Sequence, residues 1–320
     1  MISVIMSVYN ESENELSAAI KSILNQTYKN IEFLIAIDNP NNETVKRIIR
    51  EYAQKDNRIK VIENEKNIGL ALSLNRCIDA STGEYIARMD ADDIAFENRL
   101  MMQYEYMLKN SQCGVLATDI VYVDENGNRL KKPHALINDR KIFKKAMRYG
   151  NVIAHSTVMV RKSVYDTVGG YRNFRTSQDY DLWLRLLDRG VVFSTLEEPL
   201  MYYKIRLEGI SQSNPAKQRA HHDYALYLSK KERGVADFYS EEEKTAYFKK
   251  IKLYSDEEQQ KYNRAFRYYQ KSIGEIKKRK SVFLNFLRVI KSLFVHRQIK
   301  RMIYDTFKYK KITKKWTVVT

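Results

Sequence analysis

A chain of 320 residues with 44% hydrophobic and 12% aromatic residues can bury a sizeable core, and 11 Gly with 4 Pro exclude a low-complexity chain. No stretch of about 18 apolar residues lacks a charge, which excludes a bundle of membrane-spanning helices. The net charge of +17 is lopsided: residues 1–214 carry 29 Lys+Arg against 28 Asp+Glu, whereas residues 215–320 carry 27 against 11.

In chain order, Ile2 to Val8 reads as a buried strand, and Leu16, Ile20, Ile23 and Leu24 then recur at helical spacing. Ile31 to Ile37 is a second strand, followed from about Glu43 by a helix carrying Val45, Ile48, Ile49 and Tyr52. Ile59 to Ile62 is a third strand, Leu70, Leu72, Leu74 and Ile78 mark a third helix, and Tyr85 to Met89 is a fourth strand. Strands alternating with helices predict right-handed crossovers, hence an α/β fold with a mainly parallel sheet covered on both faces. The opening residues have no basic leader and no cleavage site, so the chain is expected to stay in the cytoplasm. Cys77 and Cys113 stand apart with no clustered His, which predicts small core residues and no zinc site.

Ligands of such sheets bind beyond the carboxyl ends of the strands. Polar residues follow all four: Tyr9-Asn10-Glu11, Asp38 to Asn42, Asn64 to Gly69, and Asp90-Ala-Asp-Asp93. Taken singly, each loop could be nothing more than turn chemistry. Three carboxylates within four residues repel one another unless a cation lies between them, and their hard oxygens suit Mg²⁺ or Mn²⁺. All three would need a turn to approach one ion; the plainer alternative is a cap on the helix that contains Arg99 and Leu100. No G-x-G-x-x-G follows the first strand and no P-loop occurs, which argues against a dinucleotide cofactor or a P-loop NTPase.

Together these loops resemble the family 2 glycosyltransferases of the GT-A fold, over roughly residues 1 to 212. The resemblance rests on Ser7-Val-Tyr-Asn-Glu11, Ser22-Ile-Leu-Asn-Gln-Thr27, Asp38, Asn67-Ile-Gly69, Asn75, Gly83 to Asp93, Gly169-Gly-Tyr-Arg172 and Gln178-Asp-Tyr-Asp-Leu-Trp-Leu-Arg185. The run Ala87 to Asp93 is most similar to bacterial capsule, exopolysaccharide and lipooligosaccharide transferases. The resemblance implies a nucleotide-sugar half (1–98) and an acceptor half (99–214), followed by a basic helical region (215–320). It implies that Tyr9, Glu11, Asp38, Asn67, Asp90 and Asp92 bind the nucleotide sugar, Asp38 by accepting the N3–H of uracil. Within the D-x-D of Asp90-Ala-Asp92, it is Asp92 that would hold the metal. Ile37, Asn39 and Pro40 depart from the usual V-D-D-G-S, but Asp38 matches, so UDP stays the preferred nucleotide. In place of the family's Y-R-x-H, Tyr203-Lys-Ile-Arg206 keeps positive charge for a diphosphate without an imidazole ligand.

The apolar residues from Tyr180 to Leu187 mark a helix with Asp179 in its first turn, where a carboxylate favours the helix dipole without any catalysis. The resemblance makes Asp179 the catalytic base, with Gln178 in place of the commoner Glu and Asp181 structural. His155 is an acceptor-contact candidate or a satisfied core residue. The implied activity is metal-dependent, inverting hexosyl transfer from a nucleotide-diphosphate sugar to a hydroxyl of a glycan acceptor in surface polysaccharide synthesis. The alternatives are a sugar-1-phosphate nucleotidyltransferase, whose glycine-rich basic phosphate loop is absent, and a non-catalytic protein that binds membrane or nucleic acid.

From Lys277 onward 14 basic residues face the single Asp305, with Phe283, Phe286, Leu287, Ile290, Leu293 and Phe294 at helical spacing between Lys277-Lys-Arg-Lys280 and Arg297. Arg288 and Lys291 interrupt that run, which predicts a helix lying on the inner face of the cell membrane against anionic lipid, with no role for nucleic acid; the alternative is that the apolar face packs on the catalytic domain while the lysines stay solvated. A lipid-linked acceptor would make such docking useful.

Overall fold

The computed structural model describes residues 1–205, 214–232, 239–278 and 281–319. β1 (Ile2–Val8), β2 (Ile31–Ile37), β3 (Ile59–Glu63) and β4 (Tyr85–Arg88) pair in parallel in the order β3-β2-β1-β4, with Ile2 opposite both Ile31 and Tyr85. Their crossovers are α1 (Glu13–Leu24), α2 (Glu43–Lys55) and α3 (Leu70–Ala80). Alternation along the strands assigns the two faces. Val4, Met6 and Val8 join Phe33, Ile35 and Ile37 against Leu16, Ile20 and Ile23 of α1 and Val45 and Ile49 of α2. Ile5, Leu34 and Ala36 are buried as well, and α3 packs on β1 and β2 with its Cys77 thiol 3.9 Å from the carbonyls of Met6 and Leu34. Each such Ile, Leu or Val contributes about 1.5–3 kcal/mol by leaving water. The four strands, the three helices and the buried free cysteines are as the sequence pattern predicts.

The sheet then changes character. β5 (Ile94–Ala95), α4 (Arg99–Lys109), β6 (Cys113–Val123), β7 (Pro133–Ala135), α5 (Arg140–Ala146), a single 3₁₀ turn at His155–Thr157, β8 (Met159–Arg161), α6 (Lys162–Asp166), α7 (Gln178–Asp188) and β9 (Val192–Lys204) follow. β8 runs antiparallel between β4 and β6, β9 is parallel to β6, and β5 closes the eight-stranded order β3-β2-β1-β4-β8-β6-β9-β5. The sheet is therefore mixed and mostly parallel, with helices over it.

The chain divides into two compact units, residues 1–147, 151–206 and 313–320 forming one, and residues 148–150 and 207–312 the other. The first includes the chain's end, because β10 (Thr317–Val319) pairs antiparallel with β7. The second contains α8 (Pro215–Glu232), α9 (Glu241–Ile251), α10 (Asp256–Lys277), α11 (Val282–Val295) and most of α12 (Arg297–Thr313). Ser255 and Glu258 form a capping box that starts α10. Ala216, Ala220, Ile251, Leu253, Tyr262, Ala265 and Ile299 make a small core of their own. Beside it the buried Arg219 guanidinium lies 2.8 Å from Asp223 and 2.6 Å from Asp305. Removing one partner of such a triad would leave a buried charge uncompensated, which costs about 3–5 kcal/mol.

Candidate active site

The loops beyond β1, β2 and β3 are stitched together by amides. Asn10 Oδ1 accepts from Asn39 Nδ2 at 2.6 Å and from Asn42 Nδ2 at 3.1 Å, and the Tyr9 N–H donates to Glu11 at 2.8 Å. The Tyr9 side chain is exposed above this junction. Asp38 is buried at the end of β2, where its Oδ1 accepts from Asn64 Nδ2 (2.9 Å) and the Ile68 N–H (2.8 Å) and its Oδ2 from the Gly69 N–H (2.9 Å). Asp38 therefore fixes the Asn67-Ile-Gly69 loop, and Oδ2 retains acceptor capacity beyond that bond. Asn67 is exposed, with its Oδ1 at 3.4 Å from Nη1 of Arg175.

The acidic turn after β4 points its carboxylates in different directions. Asp90 is partly exposed and ion-paired with the buried Arg88 guanidinium, and Asp92 is half-buried. Asp93 turns inward, where Oδ1 accepts the Lys204 N–H at 2.9 Å. Burial first, then the charges of Asp90 and Asp92, hold its pKa well above the usual carboxylate range. Asp90 and Asp93 thus have different partners, and among the described residues no three His, Cys, Asp or Glu side chains gather to hold a metal. Nor do the carboxylates of this turn cap α4, whose N-cap is Asn98.

The second half of the site begins at Ser177, a non-glycine residue at φ 58°, immediately before α7. Left-handed backbone of this kind costs about 1–3 kcal/mol and persists only where the surroundings hold it. It sets Gln178, which is buried, and Asp179, which is half-buried, at the start of the helix. Asp179 Oδ2 accepts from Asn151 Nδ2 at 2.7 Å. Burial pushes the Asp179 pKa up to about 6; the Tyr180 N–H and Asn151 oppose the rise, and the Asp90 charge adds to it. The fold thus brings the acidic turn of the first half and the start of α7 into one electrostatic field.

Around this centre the side chains are mostly braces. Asp181 is buried between Arg172 (3.1 Å) and Arg185 (2.9 Å), and Arg185 also donates to the carbonyls of Val168 and Gly170 at 2.7 Å. His155 lies in the 3₁₀ turn, with Nε2 2.8 Å from the Tyr171 hydroxyl and its ring centre 6.1 Å from that of Trp183 in a T-shaped contact. Burial, then the nearby Arg88, drives its pKa well below the usual imidazole value, so this ring is neutral. Lys204 Nζ pairs with Glu15 at 2.9 Å, so the positive charge expected of Tyr203-Lys-Ile-Arg206 is already neutralised at Lys204, and Arg206 lies outside the described residues.

Gly170 joins the two halves. Asn75 holds the Tyr171 backbone through both its amide groups at 2.8 Å, and a Cβ on Gly170, at φ 73°, would come within 2.6 Å of Asn75 Oδ1. Gly170→Ala is expected to destabilise the chain by about 2–3 kcal/mol through the positive φ and the lost bonds, read as a lower urea midpoint at unchanged m-value.

Sequence reasoning missed Asn151 and the role of Tyr203. Asn151 stands in a loop with no periodic signal. Burial, followed by the charges of Asp93 and Asp90 and, more weakly, Asp179, raises the Tyr203 pKa well above normal and places this phenol among the site carboxylates.

Residues 3–169 match the family model described as Glycosyl transferase family 2. The chain belongs to that family. It is 38% identical over 226 residues to glycosyltransferase MJ1057 of Methanocaldococcus jannaschii, covering 71% of this chain and 78% of that one. It is 35% identical over 246 residues to the O-antigen biosynthesis glycosyltransferase WbnJ of Escherichia coli, covering 75% of this chain and 93% of that one. In structure it resembles S. aureus TarS 1–349 in complex with UDP, at a TM-score of 0.55 and 16% identity over 95% of this chain and 91% of that one; of a longer TarS chain it spans 55%. This family 2 glycosyltransferase thus has the expected GT-A fold with a helical C-terminal region, and relatives in polysaccharide biosynthesis. Among its described residues no helix is long and apolar enough to cross a membrane.

Proposed function

We propose that this glycosyltransferase moves a sugar from a UDP-sugar to a hydroxyl of a glycan acceptor, with inversion at the anomeric carbon. One observation carries the reading: Asp179, raised to a pKa of about 6, shares an electrostatic field with Asp90 of the acidic turn. A carboxylate poised there is ionised at pH 7 yet basic enough to take a proton. Asp179 would accept the acceptor's hydroxyl proton as that oxygen attacks the anomeric carbon. The bond from carbon to the diphosphate oxygen breaks on the opposite face, and its electron pair leaves with UDP. Asn151 orients the carboxylate, Gln178 adds no charge beside it, and neutral His155 lines the acceptor side without serving as an acid.

In the donor half, Tyr9 and Glu11 would lie by the nucleoside, Asn67 beside it, and the acceptor capacity left on Asp38 Oδ2 suits a uracil N3–H. TarS, crystallised with UDP, shares this fold. Asp92, half-buried on the turn after β4, offers a hard carboxylate oxygen of the kind that suits Mg²⁺ or Mn²⁺ and would hold such an ion beside the diphosphate. Such an ion supplies Lewis-acid stabilisation of the departing charge. A panel of nucleotide sugars with a soluble glycan acceptor tests the reading. UDP release is expected from a UDP-sugar alone and with loss in EDTA, with an inverted anomeric configuration by NMR. Turnover confined to GDP- or dTDP-sugars, or a retained configuration, would refute it.

A further inference from the structure

Within the second unit, α11 is built inside out. Phe283, Phe286, Leu287, Ile290 and Phe294 fall on one stripe, and all five are exposed, Phe283 and Phe294 at 76% each. At about 100° per residue, Asn285 and Ser292 lie on the opposite side. Both are buried, at 2% and 0%, on a helix that packs against α10. Their polarity is satisfied locally: Asn285 Oδ1 accepts from Arg288 Nη1 at 3.0 Å and the Ser292 hydroxyl donates to the Val289 carbonyl at 2.6 Å. A helix in water alone would bury its phenylalanines and expose its Asn and Ser.

Cations frame the apolar stripe. Lys291 and Arg297 are exposed, and Lys300 Nζ lies 4.8 Å from the centre of the Phe294 ring. The surface continues along α12 through exposed Tyr304 and Phe307, with Lys308 Nζ 5.3 Å from the Tyr304 ring centre. The one acidic residue beyond residue 277, Asp305, is turned inward to Arg219 at 2.6 Å, so α11 and α12 themselves set no other carboxylate beside these lysines and arginines. Of the predicted basic run before the helix, Arg279 and Lys280 lie outside the described residues.

We infer that this face of α11 and α12 docks on an anionic lipid bilayer. The phenylalanines enter the acyl boundary while the long cationic side chains reach the headgroups. At 14 residues α11 is too short to span the bilayer, so it lies in the interface. Charge separates this occupant from a second copy of the chain, which would bring two cationic rims face to face. The inference is independent of the donor, metal and base assigned above.

Flotation of the full chain with phosphatidylglycerol-containing and pure phosphatidylcholine vesicles tests it. The chain should float with the anionic vesicles, and raising salt should weaken binding by about tenfold or more. The triple variant Phe283→Ser, Phe286→Ser and Phe294→Ser should bind about 100-fold less or weaker, with an unchanged melting temperature, because all three rings are exposed. As a check that needs no loss of side chains, Phe294→Trp should show a blue-shifted emission on anionic vesicles, quenched by brominated acyl chains. Absent flotation, equal flotation of the triple variant, or a wild-type dimer that this variant dissociates would each overturn the inference. So would binding of single-stranded nucleic acid in preference to the anionic vesicles.

Discussion

Asp179→Asn is expected to lower kcat by about two to four orders of magnitude while leaving UDP-sugar affinity within about twofold of wild type. Asn keeps the size of the side chain and its bond to Asn151 is replaceable, whereas the proton acceptor is lost. The pH profile gives a second readout of the same group. The base must be ionised, so kcat/KM should rise with pH through about 6, where burial places the Asp179 pKa, and level off above it. Asn151→Ala removes a bond that favours the carboxylate and should move this limb upward. A wild-type limb near the ordinary carboxylate value, or a normal kcat in Asp179→Asn, would reduce Asp179 to a residue that merely starts α7. Collapse of donor affinity would instead move it to the nucleotide half.

The first half of the sheet was legible because each strand is a short, predominantly apolar run and each helix shows its stripe, so period and length point the same way. The short strands β5, β7, β8 and β10 were not. β5 has two residues and β7, β8 and β10 three each, too few to display any alternation. The order of the motifs led to Asp38, Asp92 and Asp179, but not to what surrounds them. Which way Asp93 turns depends on the Lys204 N–H, contributed from 111 positions further along the chain. Asn151 reaches Asp179 across a loop without pattern. In α11 the stripe was visible from spacing, whereas its direction was not: periodicity reports that a helix has two faces, and only packing decides which of them meets solvent.

Asp92→Ala should lower turnover by at least about 10²–10³-fold at unchanged thermal stability, since the residue is half-buried on a surface turn and its proposed role is toward the diphosphate and not the core. Asp90 is drawn to the buried Arg88 guanidinium and Asp93 faces inward to the Lys204 N–H, whereas Asp92, half-buried on the same turn, holds the place that the D-x-D pattern gives to the metal. Calorimetry supplies a readout separate from turnover. For the wild-type chain, Mn²⁺ should tighten UDP binding, because an ion held by Asp92 would offset the charge of the diphosphate. In Asp92→Ala that linkage should vanish, leaving UDP affinity at the value measured in EDTA. Asp93→Asn should behave differently: it removes a charge that burial already disfavours, and metal linkage should survive. Intact metal linkage in Asp92→Ala would transfer the ligand role to Asp90. UDP affinity insensitive to Mn²⁺ in the wild-type chain would remove the ion from the reaction altogether, leaving neutralisation of the departing diphosphate to basic side chains.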